Sequence, residues 1–158
     1  MMIRPWMVIG AVTFGLALII GAMVNKRGVE WFRRLQRPNW LTFEWAIPII
    51  WTVVFTLGAA SATLTWEAAD PGQRWGLMAF YLVLELVTLA YSPAMLWLRR
   101  IKVGLVLGAT GVVLGLILAV TVFPISQTAS LLLLPYLIWS PIGTYVTWEM
   151  IKLNPTEA

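Results

Sequence analysis

The chain carries five separate apolar runs, each long enough to cross a bilayer, and no other feature restricts its fold so severely. A helix rises about 1.5 Å per residue and needs about 20 apolar residues to cross the hydrocarbon. The runs fall at 5–24, 45–66, 75–98, 103–123 and 129–150. None alternates with period two, as a membrane β-strand would, so each reads as a helix. The expected fold is all-α: an integral, multi-pass membrane bundle of five transmembrane helices, with 1–158 forming a single domain. Hydrophobic residues make up 60% of the chain and charged residues 11%, against about 25% charged in an average soluble domain. Lipid is therefore the expected solvent for most of the surface. The first run is too long for a signal peptide and only Arg4 precedes it, so it reads as a retained helix.

Orientation follows from the basic residues between the runs. The first connection holds Lys26, Arg27, Arg33, Arg34 and Arg37, and the third holds Arg99, Arg100 and Lys102. The second holds only Arg74 and the fourth, 124–128, has no charge. Connections one and three are expected in the cytosol, which puts the N-terminus outside and the C-terminus inside. These flanking positions also explain the net charge of +4 without any nucleic-acid partner. Cysteine and histidine are absent. Zinc sites, iron–sulfur clusters, thiol or imidazole catalysis, and His or Cys ligation of haem are thereby excluded. No metal site and no cofactor is expected.

The first connection is long for a bundle. Trp31, Phe32 and Leu35 share a helical face while Arg33, Arg34 and Arg37 project elsewhere, before Pro38 ends the turn. Such a segment is either an interfacial anchor or a lid over a cavity, with Trp31, Phe32 and Trp40 as the lid residues. In the fourth run Gly104, Gly108, Gly111 and Gly115 form a row that lets two helix backbones approach closely. The partner is either another helix of the bundle or a second subunit. A symmetric homodimer is expected through the third or fourth helix, with this row a candidate face.

Ten tryptophans in 158 residues need explaining. Most lie at span ends or in the first connection, where tryptophan favours the membrane–water interface. Trp51 and Trp139 fit that pattern poorly, because both fall inside a span. Trp51 shares a face with Phe55, Gly58 and Ala62, and Trp139 with Pro135, Gly143 and Thr147. Aromatics stacked beside small residues either pack as core or leave a concave wall for a ligand. Glu85 is the one charge well inside a span, with Tyr81 and Thr88 on the same face. An acid there is either neutral and hydrogen-bonded or linked to a proton or ligand.

The run Arg37-Pro38-Asn39-Trp40, followed by Trp45, Pro48 and Trp51-Thr52, resembles the loop-to-helix pattern of the translocator protein family, also called tryptophan-rich sensory protein or TspO/MBR. Tyr91-Ser92-Pro93 with Leu98-Arg99-Arg100 looks like its third-helix pattern. The stretch 131–139, LLLLPYLIW, followed by Thr144-Tyr145 and Leu153-Asn154, matches its fifth. The resemblance runs through nearly the whole chain. It implies a five-helix fold with a pocket near the first connection, lined by helices one, two, three and five. The implied ligands are tetrapyrroles such as protoporphyrin, cholesterol in animal members, and flat aromatic drugs. The pocket tryptophans of bacterial members fall on Trp51 and Trp139, and a small residue beside the cavity falls on Gly143. The family's third-helix asparagine and tryptophan become Thr88 and Tyr91 here. A second-helix tyrosine becomes Phe55 and a fifth-helix asparagine becomes Thr147. The ligand-binding set implied is thus Trp51, Phe55, Thr88, Tyr91, Trp139, Gly143 and Thr147. The cholesterol-recognition pattern fails, since six residues separate Tyr145 from Lys152, one too many. That argues against cholesterol as a partner.

Three function classes follow. The favoured one is a receptor or sensor for porphyrin-like tetrapyrroles and other flat hydrophobic molecules, with transport as an extension of binding. Without histidine or cysteine, metal-free porphyrin suits the chain better than haem. The second is light-dependent porphyrin degradation, implied by the resemblance, with Trp51 and Trp139 as the participating residues. No acid–base or nucleophile constellation otherwise stands out, so no catalytic residue is assigned. The third is a lipid or sterol transporter or scaffold.

Overall fold

The structure is a computed structural model that describes residues 4–158. Its helices are α1 (Pro5–Ala22), α2 (Lys26–Arg34), α3 (Ile47–Ala68), α4 (Pro71–Leu98), α5 (Ile101–Val122), α6 (Gln127–Leu131) and α7 (Leu134–Leu153). A short 3₁₀ turn, Glu44–Ala46, leads into α3, and another, Pro155–Glu157, follows α7. Five helical segments are long and apolar enough to cross a membrane: Pro5–Ala22, Glu44–Ala68, Pro71–Leu98, Ile101–Val122 and Gln127–Leu153. No strand occurs among the described residues. The expected five-helix membrane bundle is what the chain forms.

Two spans depart most from the apolar runs. The third span begins at Pro71 rather than near Trp75, because a proline suits the first turn of a helix, where its missing N–H leaves no bond unmade. The fifth span is not one continuous helix. It breaks between α6 and α7, where Pro135 opens α7 and cannot donate back into the preceding turn. Ser126 caps α6 by accepting from the Ala129 amide at 3.2 Å.

Neighbouring helices run around the bundle in the order α1, α3, α7, α5, α4 and back to α1. Polar side chains survive in this solvent by bonding inward or along their own helix. Thr52, Thr56, Thr110 and Thr121 each donate to the carbonyl four residues earlier, at 2.7–2.9 Å. Ser130 donates to the Ala119 carbonyl and Ser61 to the Ala129 carbonyl, tying α6 to α5 and α3. An unmatched hydroxyl in hydrocarbon costs several kcal/mol, so these bonds are what make the threonines tolerable there.

The glycine row of α5 points into the bundle. A Cβ on Gly111 would lie 2.5 Å from the Tyr136 hydroxyl, and one on Gly115 2.6 Å from the Tyr136 ring. One on Gly108 would meet Thr144 at 2.7 Å, and one on Gly104 would meet Met95 at 2.8 Å. The row therefore seats side chains of α4 and α7 of the same chain. Its candidacy as a dimer face is corrected: the space it leaves is already filled.

The first connection is bound down. Gly28 lets α2 rest on the end of α4, since a Cβ there would stand 2.5 Å from the Leu96 carbonyl oxygen. Leu35 is buried and Trp31 and Phe32 are half-buried, while Arg33 and Arg34 are exposed, as the amphipathic pattern predicts. Trp31 Nε1 donates to Glu157 at 2.7 Å and Trp40 Nε1 to Glu149 at 2.6 Å. The segment is thereby held to the far end of the chain.

Candidate functional site

Among the described residues, two cavities stand out, one toward each end of the bundle. The inner one, about 430 Å³, opens toward the first connection. Its walls come from α1, α3, α4, α5 and α7, and the connection itself contributes Phe32, Arg37, Leu41 and Glu44. The volume falls within the range of about 300–1,000 Å³ typical of small-molecule pockets.

Six of the seven expected binding residues line this one space: Trp51, Phe55, Thr88, Tyr91, Trp139 and Gly143. They come from three helices far apart in sequence. Trp139 is 9% exposed and stands edge-on to Phe43, with ring centroids 6.3 Å apart. Trp51 lies 5.7 Å from Phe55 and edge-on to Tyr136 at 6.4 Å. Edge-to-face packing fixes the rings and leaves flat faces available.

Thr147 is not on the cavity surface. It is buried behind the wall, where it donates to the Gly143 carbonyl and accepts from the Tyr91 hydroxyl at 2.5 Å. Its place is to hold Tyr91. Of the three lid residues, only Phe32 reaches the cavity. Trp31 and Trp40 clamp the segment from outside, with Trp40 also 6.1 Å from the Tyr145 ring.

Two wall residues, Tyr136 and Arg37, lie outside the expected binding set, although a basic residue at the mouth is in keeping with a ligand that carries propionates. Tyr136 stands three positions before Trp139, and helical spacing alone would have put it on the same face. Its hydroxyl bonds to Thr88 at 3.1 Å, linking α7 to α4 across the middle of the bundle. Arg37 lies at the mouth with its guanidinium 5.1 Å from the Phe32 ring centroid. One terminal nitrogen donates to Glu44 at 2.5 Å, while its Nε is buried and has no partner. An unpaired buried donor beside an aromatic-walled cavity suits a ligand with a carboxylate.

Five apolar spans around an aromatic-walled cavity define the class, a multi-pass membrane helical bundle. Residues 8–153 match the profile of the TspO/MBR family, and the chain belongs to that family. It is 28% identical to a tryptophan-rich sensory protein of Cereibacter sphaeroides, covering 79% of this chain and 77% of that one. It is also 28% identical to the tryptophan-rich protein TspO of Chlorobaculum tepidum, covering 92% and 95%. Against the human translocator protein the identity is 26%, covering 94% and 92%.

Proposed function

We propose that the inner cavity binds porphyrin-like tetrapyrroles and other flat hydrophobic molecules, making this TspO/MBR protein a membrane receptor or sensor, with transport as an extension of binding. One observation carries the reading: a cavity walled by Trp51, Tyr136 and Trp139 has Arg37 at its mouth with a buried, unpaired Nε. A flat macrocycle gains stacking and burial against those rings, and Arg37 would take a propionate. Trp51, Phe55, Thr88, Tyr91, Trp139 and Gly143 form the binding set, with Thr147 supporting Tyr91. The whole chain acts as one transmembrane unit. The first connection serves as a lid that faces the cytosol together with the C-terminus. A homodimer would use an outward face of α4 or α5, since the glycines of α5 are engaged within the chain.

Titration of the purified protein in lipid nanodiscs with protoporphyrin and with its dimethyl ester tests this reading. Saturable one-site binding, tighter for the free acid, is expected; no saturable binding of either would overturn it. Irradiating the complex separates a receptor from a photoreactive enzyme. Recovery of unchanged protoporphyrin supports the receptor. Light-dependent loss of its absorbance in the wild type, but not in Trp51→Leu or Trp139→Leu, would make the pocket a reaction chamber instead.

A further inference from the structure

The second cavity, about 580 Å³, lies toward the other end of the bundle, between α1, α3 and α4. Phe55, Thr88 and Tyr136 line both spaces and form the wall between them. Gly58, Ala59 and Ala62, on the same helical face as Trp51, open into this outer cavity and not into the inner one. The small residues beside Trp51 therefore hollow out a different site. Nothing in the porphyrin reading uses it.

Its chemistry is simple. The lining is apolar except for Thr13, Tyr81, Glu85, Thr88, Tyr136 and the two tryptophans at its rim, Trp66 and Trp75. The hydroxyls are already engaged: Tyr81 with Ser61 and Thr65, Thr88 with the Leu84 carbonyl and Tyr136, and Thr13 with Glu85 Oε2 at 3.3 Å. Glu85 Oε1 is buried and has no partner. No lysine or arginine lines the cavity. Glu85 stands 14 residues into α4, about 21 Å along it, so this lone acceptor sits deep in a hydrocarbon layer about 30 Å thick.

A carboxyl oxygen left unmatched in such a place is costly, and acids within spans usually pair or serve a ligand. An alcohol would satisfy one lone pair, but an ammonium would also neutralise the charge, and charge-assisted bonds are about twice as strong. We propose that the outer cavity is a second ligand site, taking a compact lipophilic amine whose head pairs with Glu85 and whose body fills the space beside Gly58 and Ala62. Access is lateral, past α1, whose only buried residue is Thr13.

The test uses the full chain in phosphatidylcholine nanodiscs with tritiated 1-aminoadamantane as probe and 1-adamantanol as the competitor of equal shape. Saturable amine binding is expected, with the alcohol competing at least about ten-fold more weakly. Glu85→Gln keeps the shape and should weaken amine binding about ten-fold or more. Gly58→Leu is a second, independent variant. A Cβ at Gly58 meets nothing within 4 Å, so the leucine should narrow the cavity and weaken amine binding while the protein stays folded. Both variants should bind protoporphyrin like the wild type, and Trp51→Leu should still bind the amine. Equal amine affinity in wild type and Glu85→Gln, or equal competition by the alcohol, would overturn the proposal. Loss of amine binding in Trp51→Leu with retention in Gly58→Leu would move the amine to the inner cavity and overturn it as well.

Discussion

The Asn154 side chain closes a two-way pair with the backbone of Gln36: its Oδ1 accepts from the Gln36 amide and its Nδ2 donates to the Gln36 carbonyl, both at 2.9 Å. The same Nδ2 also reaches the Met150 carbonyl at 2.8 Å. A residue just past α7 thus fixes the segment that roofs the inner cavity.

Asn154→Ala removes all three bonds and should destabilise the protein by about 1–3 kcal/mol. Amides of residues 36–44 should exchange hydrogen faster, while those of α5 stay protected. Thermal unfolding in detergent and hydrogen-exchange mass spectrometry read the two effects. Unchanged protection of 36–44 would mean that Asn154 does not secure the roof.

Gly111 and Tyr136 give a test with a sign. An exposed glycine-to-alanine change inside a helix stabilises by about 1 kcal/mol, and Gly10, with nothing within 4 Å, should behave so. Gly111→Ala should instead cost about 1–3 kcal/mol, because its methyl would collide with the Tyr136 hydroxyl. Tyr136→Phe should recover part of that loss in the double variant. Oligomer mass should not change. A Gly111→Ala protein as stable as Gly10→Ala, yet altered in mass, would return the glycine row to a subunit interface.

Arg37 should control selectivity for acids. Arg37→Gln keeps a donor but removes the charge. It should weaken protoporphyrin by about five- to 150-fold, the equivalent of about 1–3 kcal/mol, and leave the dimethyl ester nearly unaffected. Parallel loss for both ligands would mean that Arg37 supports the mouth without reading the carboxylate.

Eight of the eleven basic residues lie in the first and third connections, so the C-terminus is expected in the cytosol. Reporter fusions after Ala158 and within residues 68–72 should give opposite signals. The same cytosolic signal from both would contradict this orientation.

The spans were legible because lipid imposes length and apolarity on every crossing helix, whatever its neighbours. The pocket tryptophans were legible because an indole deep inside a span has no interface to sit in. Spacing along one helix, however, fixes a face without naming what that face meets. Gly58 and Ala62 share a stripe with Trp51 but open into the other cavity. Glu85 has Tyr81 and Thr88 as near neighbours on α4, yet both are engaged elsewhere and its donor is Thr13 on α1. The pairing of Asn154 with Gln36 spans 118 positions, and no local pattern announces it.

On the proposed reading, Trp51 and Trp139 form two walls of one tetrapyrrole site. Protoporphyrin titration of wild type, Trp51→Leu, Trp139→Leu and the double variant tests it most directly. Leucine keeps each helix apolar but removes a flat wall, which typically costs about 1–3 kcal/mol, or about five- to 150-fold in affinity. Each single variant should lose affinity within that range, and the folded double variant should lose more than either. Wild-type affinity in the folded double variant would contradict binding between these two walls and place the ligand elsewhere.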